Sequence, residues 1–412
     1  MQWNDHILTL PGGSVTVEKR VGDYLSRNPA ATLIRLDQKL MNMELPPKVT
    51  EAMHDTVREM ASPFGKKLES PWSGYDNLKS AVVRRLSEFG VNILESEVLI
   101  TSGMESAYTD LSLLFGVQNQ VLAPDPGDPS LAFLHRAAGR HVGFLRATPE
   151  NAFLPLPDQE SADLIFLSSP NSITGAAYSR EALTQWVEFA NRTGAVLFYD
   201  ASLSDYLPED MPHSIYEIEG AKTCAVELFS FEKGYGVREL KSAYMILPIA
   251  LSRHGVRIHD LSAALLPNAE TPPSFVMQRA AELLFSEEAR AETSKMIYRI
   301  QKVSALLSRG LADAGIAHAG ETTSPYLWAQ CPDGMNAWQC FDRLLEEAQL
   351  VVTPGSVFGY GGERFFRITA FGHPDEAEEA VRRLSALFGK SEEAEEPEPK
   401  ATKEPEEAKD LL

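Results

Sequence analysis

The sequence predicts an α/β protein in which a large, doubly wound and mostly parallel sheet is joined to a smaller α/β unit. Between about residues 75 and 250, short apolar runs rich in β-branched and aromatic residues alternate with helical patterns. Most of these runs lack strict polar alternation, which indicates strands covered on both faces. The chain has 412 residues, more than one core usually accommodates, so two packed units are expected.

Six apolar runs predict the strands of the large sheet. They are EVLI (97–100), QVLAP (120–124), ADLIFL (162–167), AVLFYD (195–200), CAVELFSF (224–231) and SAYMIL (242–247). Between two of them, residues 179–194 predict a helix, because Ser179 suits the N-cap and Gly194 the C-terminal stop.

From about residue 266 the pattern changes to that of the smaller unit. Residues 274–315 predict one long helix with little interruption. Further strand-like and helical stretches follow it, and they are YLWAQ (326–330), AWQCFDRLLEEAQ (337–349), VVT (351–353), FFRITAF (365–371) and a helix from about Pro374 to Phe388.

We therefore expect four segments along the chain. They are an N-terminal segment (1–46) that joins the small domain, a large domain (47–265), a C-terminal small domain (266–390) and a disordered acidic tail (391–412). Residues 390–412 hold nine acidic residues against four lysines and no aromatic residue. Such a stretch cannot bury enough apolar surface to offset the entropy lost on ordering.

Charge and composition exclude several classes of protein. The formal charge of −20 argues against binding nucleic acid or an anionic membrane through a basic surface. No stretch has the length of a membrane span, and the N-terminus lacks the pattern of a signal peptide. Cys224, Cys331 and Cys340 are scattered without metal-ligand spacing, so we expect reduced thiols in a cytoplasmic protein.

Polar residues follow the predicted strands, and in open α/β sheets ligands bind beyond the carboxyl ends of the strands. Ser102-Gly103-Met104 form a small-residue turn before a helix, a geometry suited to an anion. A polar loop follows at 168–175, Asp200 ends a third strand, and Lys233 ends a fourth. Each feature alone is also compatible with an ordinary turn or strand end, but together they predict a functional cleft.

Pyridoxal phosphate is a cofactor that requires this combination of groups. It needs a lysine for its Schiff base, a carboxylate at its ring nitrogen, and hydroxyl groups with a helix N-terminus for its phosphate. A lysine released from the cofactor can then move protons as a general base and acid.

The segment HSIYEIEGAKTCAVELFSFEK (213–233), followed by KSAY, resembles LL-diaminopimelate aminotransferases and their relatives. These are fold-type-I, class I/II aminotransferases that depend on pyridoxal phosphate. Further similar stretches are SGYDNLK, SPNSITG, LFYDAS, MQRAAELLFSEE, FDRLLEEAQLVVTPGSVFG and RFFRITAFG. The resemblance covers nearly the whole chain apart from the tail.

The resemblance implies a role for each matching position. Lys233 corresponds to the Schiff-base lysine and Asp200 to the partner of the ring nitrogen, which makes these two the catalytic pair. Arg367 corresponds to the arginine that binds the substrate α-carboxylate, for which a guanidinium fork is well shaped. The implied cofactor contacts are Ser102, Gly103, Met104, Ser172, Asp200, Ser230, Lys233 and Lys241. The resemblance also implies a homodimer acting on an amino acid and a 2-oxo acid.

Several positions depart from the family pattern, and most lie around the cofactor. Ser172 stands in place of an asparagine and Leu203 in place of a tyrosine that both contact the ring oxygen. Glu232 replaces a phosphate-binding serine, and Lys241 replaces an arginine. Further departures are Leu131 for a stacking aromatic residue, Glu105 for a lysine and Thr323 for an asparagine. These changes suggest that ordinary transamination of diaminopimelate is not the reaction.

We therefore expect a pyridoxal-phosphate enzyme that acts on an amino acid, with transamination as the default chemistry. The chain retains together Lys233, Asp200, Ser230 and Arg367. Their joint presence favours an active enzyme. Two alternatives stay open. One is another reaction on the same cofactor, such as elimination, cyclisation or oxidation, and the other is a catalytically silent paralogue that acts by binding.

Overall fold

The computed structural model describes residues 16–38, 45–62, 71–158, 161–237, 240–269, 273–320 and 323–389. The helices of this part of the chain are α1 (Val17–Arg27), α2 (Pro47–Met60), α3 (Asp76–Ser87), α4 (Met104–Leu113), α5 (Pro129–Ala137), α6 (Arg180–Thr193), α7 (Phe231–Tyr235), α8 (Ile258–Ala269), α9 (Phe275–Leu284), α10 (Glu287–Asp313), α11 (Ala337–Ala348) and α12 (Pro374–Phe388). The strands are β1 (Ile34–Arg35), β2 (Val98–Thr101), β3 (Val121–Asp125), β4 (Val142–Arg146), β5 (Leu164–Ser168), β6 (Val196–Asp200), β7 (Ala225–Ser230), β8 (Ala243–Ile246), β9 (Ser252–Arg253), β10 (Val256–Arg257), β11 (His318–Ala319), β12 (Tyr326–Gln330), β13 (Leu350–Val351), β14 (Thr353–Pro354) and β15 (Phe365–Thr369).

A seven-stranded sheet dominates the fold, in the order β2-β8-β7-β6-β5-β3-β4. The five strands from β3 to β7 form a parallel block, in which every pair of adjacent strands is parallel. Strand β8 is antiparallel to both of its neighbours, β2 and β7. All six strands expected from the apolar runs lie in this sheet. The prediction of a large, mostly parallel sheet is confirmed.

Both faces of the sheet are buried, which explains why the strands lack polar alternation. On β6, Leu197 and Tyr199 pack into one hydrophobic cluster with Trp186 of α6. The intervening residues Val196 and Phe198 pack into a second cluster on the opposite face. Successive side chains of a strand point to opposite faces, so helices must cover both.

Two elements differ from the sequence expectations. Strand β4 was not foreseen, because it is an edge strand that carries Gly143 and a Phe144 side chain that is 37% exposed. The single helix expected over residues 274–315 is wrong, since the chain forms α9 and α10 with a break between them. Ser286 lies at this break and caps α10 by accepting a hydrogen bond from the Ala289 N–H.

The smaller unit is built on a four-stranded antiparallel sheet in the order β11-β12-β15-β14. Ile34 of β1 pairs in parallel with Leu350 of β13, and Arg20 of α1 forms an ion pair with Asp342 of α11. Helix α1 and strand β1 therefore contact the C-terminal part of the chain.

The expected limits of the segments, at residues 46, 265 and 390, stay predictions. The acidic tail lies outside the described residues. None of the described helices is long and apolar enough to cross a membrane.

One acidic side chain is buried in the centre of the large sheet. Glu227 of β7 is fully buried, and its Oε2 accepts hydrogen bonds from the Ser214 hydroxyl at 2.6 Å and the Ile215 N–H at 2.9 Å. Its Oε1 has no hydrogen-bond partner among the described residues. Burial raises the pKa of Glu227 to about 7, although the bond from Ser214 acts in the opposite direction.

Glu227 should make the stability of the protein depend on pH. Because its pKa is higher in the folded than in the unfolded chain, its contribution is complete below about pH 4.5 and is lost as the pH rises through about 7. Between pH 5 and 8 we expect the free energy of unfolding of the wild type to fall by up to about 3 kcal/mol more than that of Glu227→Gln. Urea unfolding at several pH values measures this difference.

The control is Glu188→Gln, on the exposed side of α6. It should keep the pH dependence of the wild type. An equally steep loss of stability in Glu227→Gln would show that this carboxyl group does not titrate as described.

Candidate active site

Several of the residues singled out in the sequence lie at the carboxyl ends of neighbouring strands. Ser168 is the last residue of β5, Asp200 of β6 and Ser230 of β7. Ser168 and Asp200 face each other across the ladder between β5 and β6. Parallel strands end at the same edge of a sheet, so these residues are brought together by the topology.

A closed circuit of hydrogen bonds joins two of these strand ends. Asp200 Oδ1 accepts hydrogen bonds from the Ser202 hydroxyl and from the Ser202 N–H, the latter at 2.9 Å. The Ser202 hydroxyl oxygen accepts from the Ser230 N–H at 2.9 Å. The Ser230 hydroxyl oxygen caps α7 by accepting from the Lys233 N–H at 3.3 Å, and Lys233 Nζ lies 3.2 Å from Asp200 Oδ2. Asp200 and Lys233 thus position each other.

The Lys233–Asp200 ion pair is largely removed from solvent, since the two side chains are 23% and 8% exposed. Burial by itself lowers the pKa of Lys233, but the nearby Asp200 carboxylate outweighs it and raises that pKa above its ordinary value. The Lys233 side chain is therefore an ammonium group in this state of the protein.

A small cavity of about 40 Å³ lies against this pair. Asp200 and Lys233 line it together with Ser172 from the loop after β5. Its remaining walls are Tyr108, Pro124, Gly127, Asp128, Leu131, Phe166, Leu167, Ser168, Asn171 and Ile173.

Tyr108 and Asp128 are cleft residues that sequence reasoning missed. Tyr108 lies one helical turn after Met104 on α4, so the 3.6-residue period could have placed it on the same face. Asp128 caps α5 by accepting from the Ser130 N–H at 2.9 Å. Burial, followed by the Asp200 charge, raises the pKa of Tyr108, so its hydroxyl group keeps its proton at neutral pH.

The turn Ser102-Gly103-Met104 joins β2 to α4, as expected. Gly103 has a φ of +105° and a ψ of 176°, a conformation that only glycine adopts readily. A Cβ atom placed on Gly103 would lie 3.8 Å from Lys241 Cδ and 3.6 Å from Glu105 Oε2. Lys241 therefore lies beside this turn, where it forms an ion pair with Glu232 at 2.8 Å.

Arg367 of β15 reaches the same region from the four-stranded sheet. Its Nη1 donates a 2.8 Å hydrogen bond to the carbonyl oxygen of Ser172. Its guanidinium group lies 4.7 Å from the ring centre of Tyr326 and 4.6 Å from that of Phe358. The Nε atom is buried and has no partner among the described residues. A buried donor without a partner is costly, and the guanidinium is held instead by the Ser172 carbonyl and the two rings.

Two further hydrogen bonds join the wall of the cavity to the segment around Phe358. The Gly127 N–H donates to the Phe358 carbonyl oxygen at 2.9 Å, and the Gly361 N–H donates to Asp125 Oδ1 at 3.0 Å. This wall and the aromatic residue next to Arg367 are therefore held together.

The structure thus brings Lys233 into contact with both Asp200 and Ser230, with Ser172 on the same cavity and Arg367 bonded to Ser172. Leu203 does not face the cavity but packs, 3% exposed, into the core with Tyr206.

The sequence and the fold have counterparts in known proteins. The family described as aminotransferase class I and II matches residues 32–384. The chain belongs to this family. Its members use pyridoxal phosphate, and the chain is an aminotransferase-type enzyme that acts on an amino acid.

Relatives within the aminotransferase class I and II family match nearly the full chain. An LL-diaminopimelate aminotransferase of Lachnospira eligens is 34% identical over 93% of this chain and 99% of its own length. Another protein of that name, from Agathobacter rectalis, is 33% identical over 94% and 100%. The solved structure of L,L-diaminopimelate aminotransferase from Chlamydomonas reinhardtii matches with a TM-score of 0.87 and 28% identity, over 94% of this chain and 99% of that one. The fold class given by the sequence is confirmed.

Proposed function

We propose that the protein transfers an amino group between an amino acid and a 2-oxo acid, with Lys233 as the lysine that holds pyridoxal phosphate. The observation that carries this proposal is the buried Lys233–Asp200 pair, whose Nζ and Oδ2 atoms lie 3.2 Å apart at neighbouring strand ends. When bound, the cofactor supplies an electron sink for the α-carbon of the amino acid.

The residues present suit the ring of the cofactor. Asp200, held on its Oδ1 side by Ser202, can keep a proton on the ring nitrogen through Oδ2. If Asp200 Oδ2 held the ring nitrogen of the cofactor, Lys233 would lose the carboxylate that now raises its pKa. The pKa of Lys233 would then fall, which would favour the neutral amine that covalent attachment requires.

Lys233 is also the group suited to move a proton at the α-carbon. Its backbone is fixed by the Ser230 cap, so Nζ swings on its own flexible side chain. A general base must lie within hydrogen-bond reach of the proton that it takes, and Lys233 lines the cavity in which the reacting carbon would lie.

Arg367 is suited to the α-carboxylate of the substrate. Its guanidinium is held between two rings and by the Ser172 carbonyl, so its planar fork has a fixed orientation in which to bind a carboxylate. A different group of residues is the candidate site for the cofactor phosphate. It consists of Ser102-Gly103-Met104, Ser230 and Lys241. The N-terminus of α4 adds its backbone N–H groups there.

Another reaction on the same cofactor is the second candidate. Leu203 packs in the core and can donate no hydrogen bond, so the ring oxygen lacks a donor from this position.

Product analysis separates transamination from another reaction on the cofactor. It uses a panel of amino acids that includes LL-diaminopimelate, each tested with and without 2-oxoglutarate. Products that form only with the oxo acid support transamination, whereas products that form without it support elimination, cyclisation or oxidation.

The first prediction concerns the attachment of the cofactor. Wild-type protein mixed with pyridoxal phosphate should develop an absorption band of the bound cofactor, and Lys233→Ala should not, because no amine is left to attach it. Lys302→Ala, an exposed lysine on α10, is the control and should behave as the wild type. A band that survives in Lys233→Ala, or none in the wild type, contradicts the assignment of Lys233.

A second prediction concerns Arg367. Arg367→Lys keeps a positive charge but loses the planar fork, so we expect KM for the amino acid to rise by about 10- to 100-fold with a smaller change in kcat. Steady-state kinetics measure this. The control Arg382→Lys, on the exposed side of α12, should leave KM unchanged. An unchanged KM in Arg367→Lys would remove it from the substrate site.

We also propose that the protein works as a cytoplasmic homodimer, as the sequence resemblance implies. The three cysteines are buried thiols without a disulfide, which is compatible with a reducing compartment. Light scattering should give about twice the mass of the 45.4 kDa chain. A mass of one chain over the whole concentration range would contradict the dimer.

A further inference from the structure

An acidic side chain contacts the lysine that borders the candidate phosphate turn. Glu232 directly precedes Lys233 on α7, and its side chain is only 11% exposed. Its Oε2 lies 2.8 Å from Lys241 Nζ. Lys241 itself is 48% exposed, so its ammonium group is the more accessible half of the pair.

This pair lies next to the N-terminus of α4. A Cβ atom on Gly103 would lie 4.0 Å from Lys241 Cα, so the lysine backbone borders the turn. The Glu105 carboxylate lies on the same side, 3.6 Å from that Cβ position. Among the described residues, an anion that approaches the turn therefore meets the Lys241 ammonium together with the Glu232 and Glu105 carboxylates. The backbone N–H groups favour the anion, whereas Glu232 holds the ammonium group that the anion would otherwise take.

We propose that Glu232 competes with the phosphate of the cofactor for Lys241, and that this competition sets the affinity of the protein for phosphate-bearing ligands. A phosphate group can take the Lys241 ammonium only if the ammonium leaves the Glu232 carboxylate. That step breaks the 2.8 Å ion pair of a carboxylate that is almost buried, which is unfavourable. The proposal rests on the proposed function only in taking pyridoxal phosphate as the cofactor.

The competition should distinguish ligands by their phosphate. Pyridoxal shares the ring and the aldehyde of pyridoxal phosphate but has no phosphate, so Glu232 should not oppose it. Glu232→Gln keeps the shape of the side chain and removes its charge. We expect this variant to bind pyridoxal phosphate on the order of tenfold more tightly, about 1.4 kcal/mol, with less than a twofold change for pyridoxal.

Equilibrium titration of the full-length protein, followed by absorbance and intrinsic fluorescence, measures both affinities without any turnover. Lys241→Gln and the double variant complete a mutant cycle, in which the gain from Glu232→Gln should disappear once Lys241 is removed. Glu188→Gln is the matched control and should change neither affinity. If Glu232→Gln does not fold, Glu232→Ser replaces it, with circular dichroism as the check on folding.

Inorganic phosphate provides a readout that needs neither the ring nor Lys233. Phosphate should raise the melting temperature of Glu232→Gln more than that of the wild type. If no cofactor band forms but this difference is present, the proposed function fails and the competition stands. Any one of three results would overturn the proposal. The affinity of Glu232→Gln could rise equally for pyridoxal phosphate and pyridoxal, or its gain in affinity could survive in the double variant. The third such result is no gain at all, either in affinity for the cofactor or in melting temperature with phosphate.

Discussion

The buried Asp200 carboxylate is the group around which the edge of the sheet that carries the candidate site is organised. A charged group away from water is tolerated only when it is paired and hydrogen-bonded, and Asp200 meets this condition through Ser202 and Lys233. Ser202 also receives the Ser230 N–H, and Ser230 begins the helical turn that carries Lys233. One electrostatic requirement therefore fixes the ends of β6 and β7 relative to each other.

The sequence predicted the parts of this site that repeat a physical rule. Strands buried on both faces give continuous apolar runs, and the polar residue at the end of such a run marks the ligand edge of the sheet. Asp200 and Lys233 were found in this way. Strand β4 was missed because Gly143 and the exposed Phe144 interrupt its apolar pattern. The break before α10 was missed because Ser286 stands in an otherwise continuous helical pattern.

The parts that could not be predicted depend on contacts between distant segments. Phe358 and Tyr326 flank Arg367 from different elements, and no residue spacing in the sequence predicts that arrangement. Asp128 caps α5, and its second role as a wall of the cavity appears only when α5 packs against β3 and β4.

The hydrogen bonds that cross the cleft affect how an amino acid would be received. Arg367 is bonded to the Ser172 carbonyl, and the Phe358 carbonyl and Gly361 N–H are bonded to Gly127 and Asp125. These contacts are made by the chain itself, so they hold Arg367 and Phe358 in place against the loop after β5 and the segment before α5. A cleft whose walls are already ordered costs an amino acid little binding free energy to enter, because few side chains remain to be immobilised. More of the free energy of its contacts is then left to discriminate one amino acid from another.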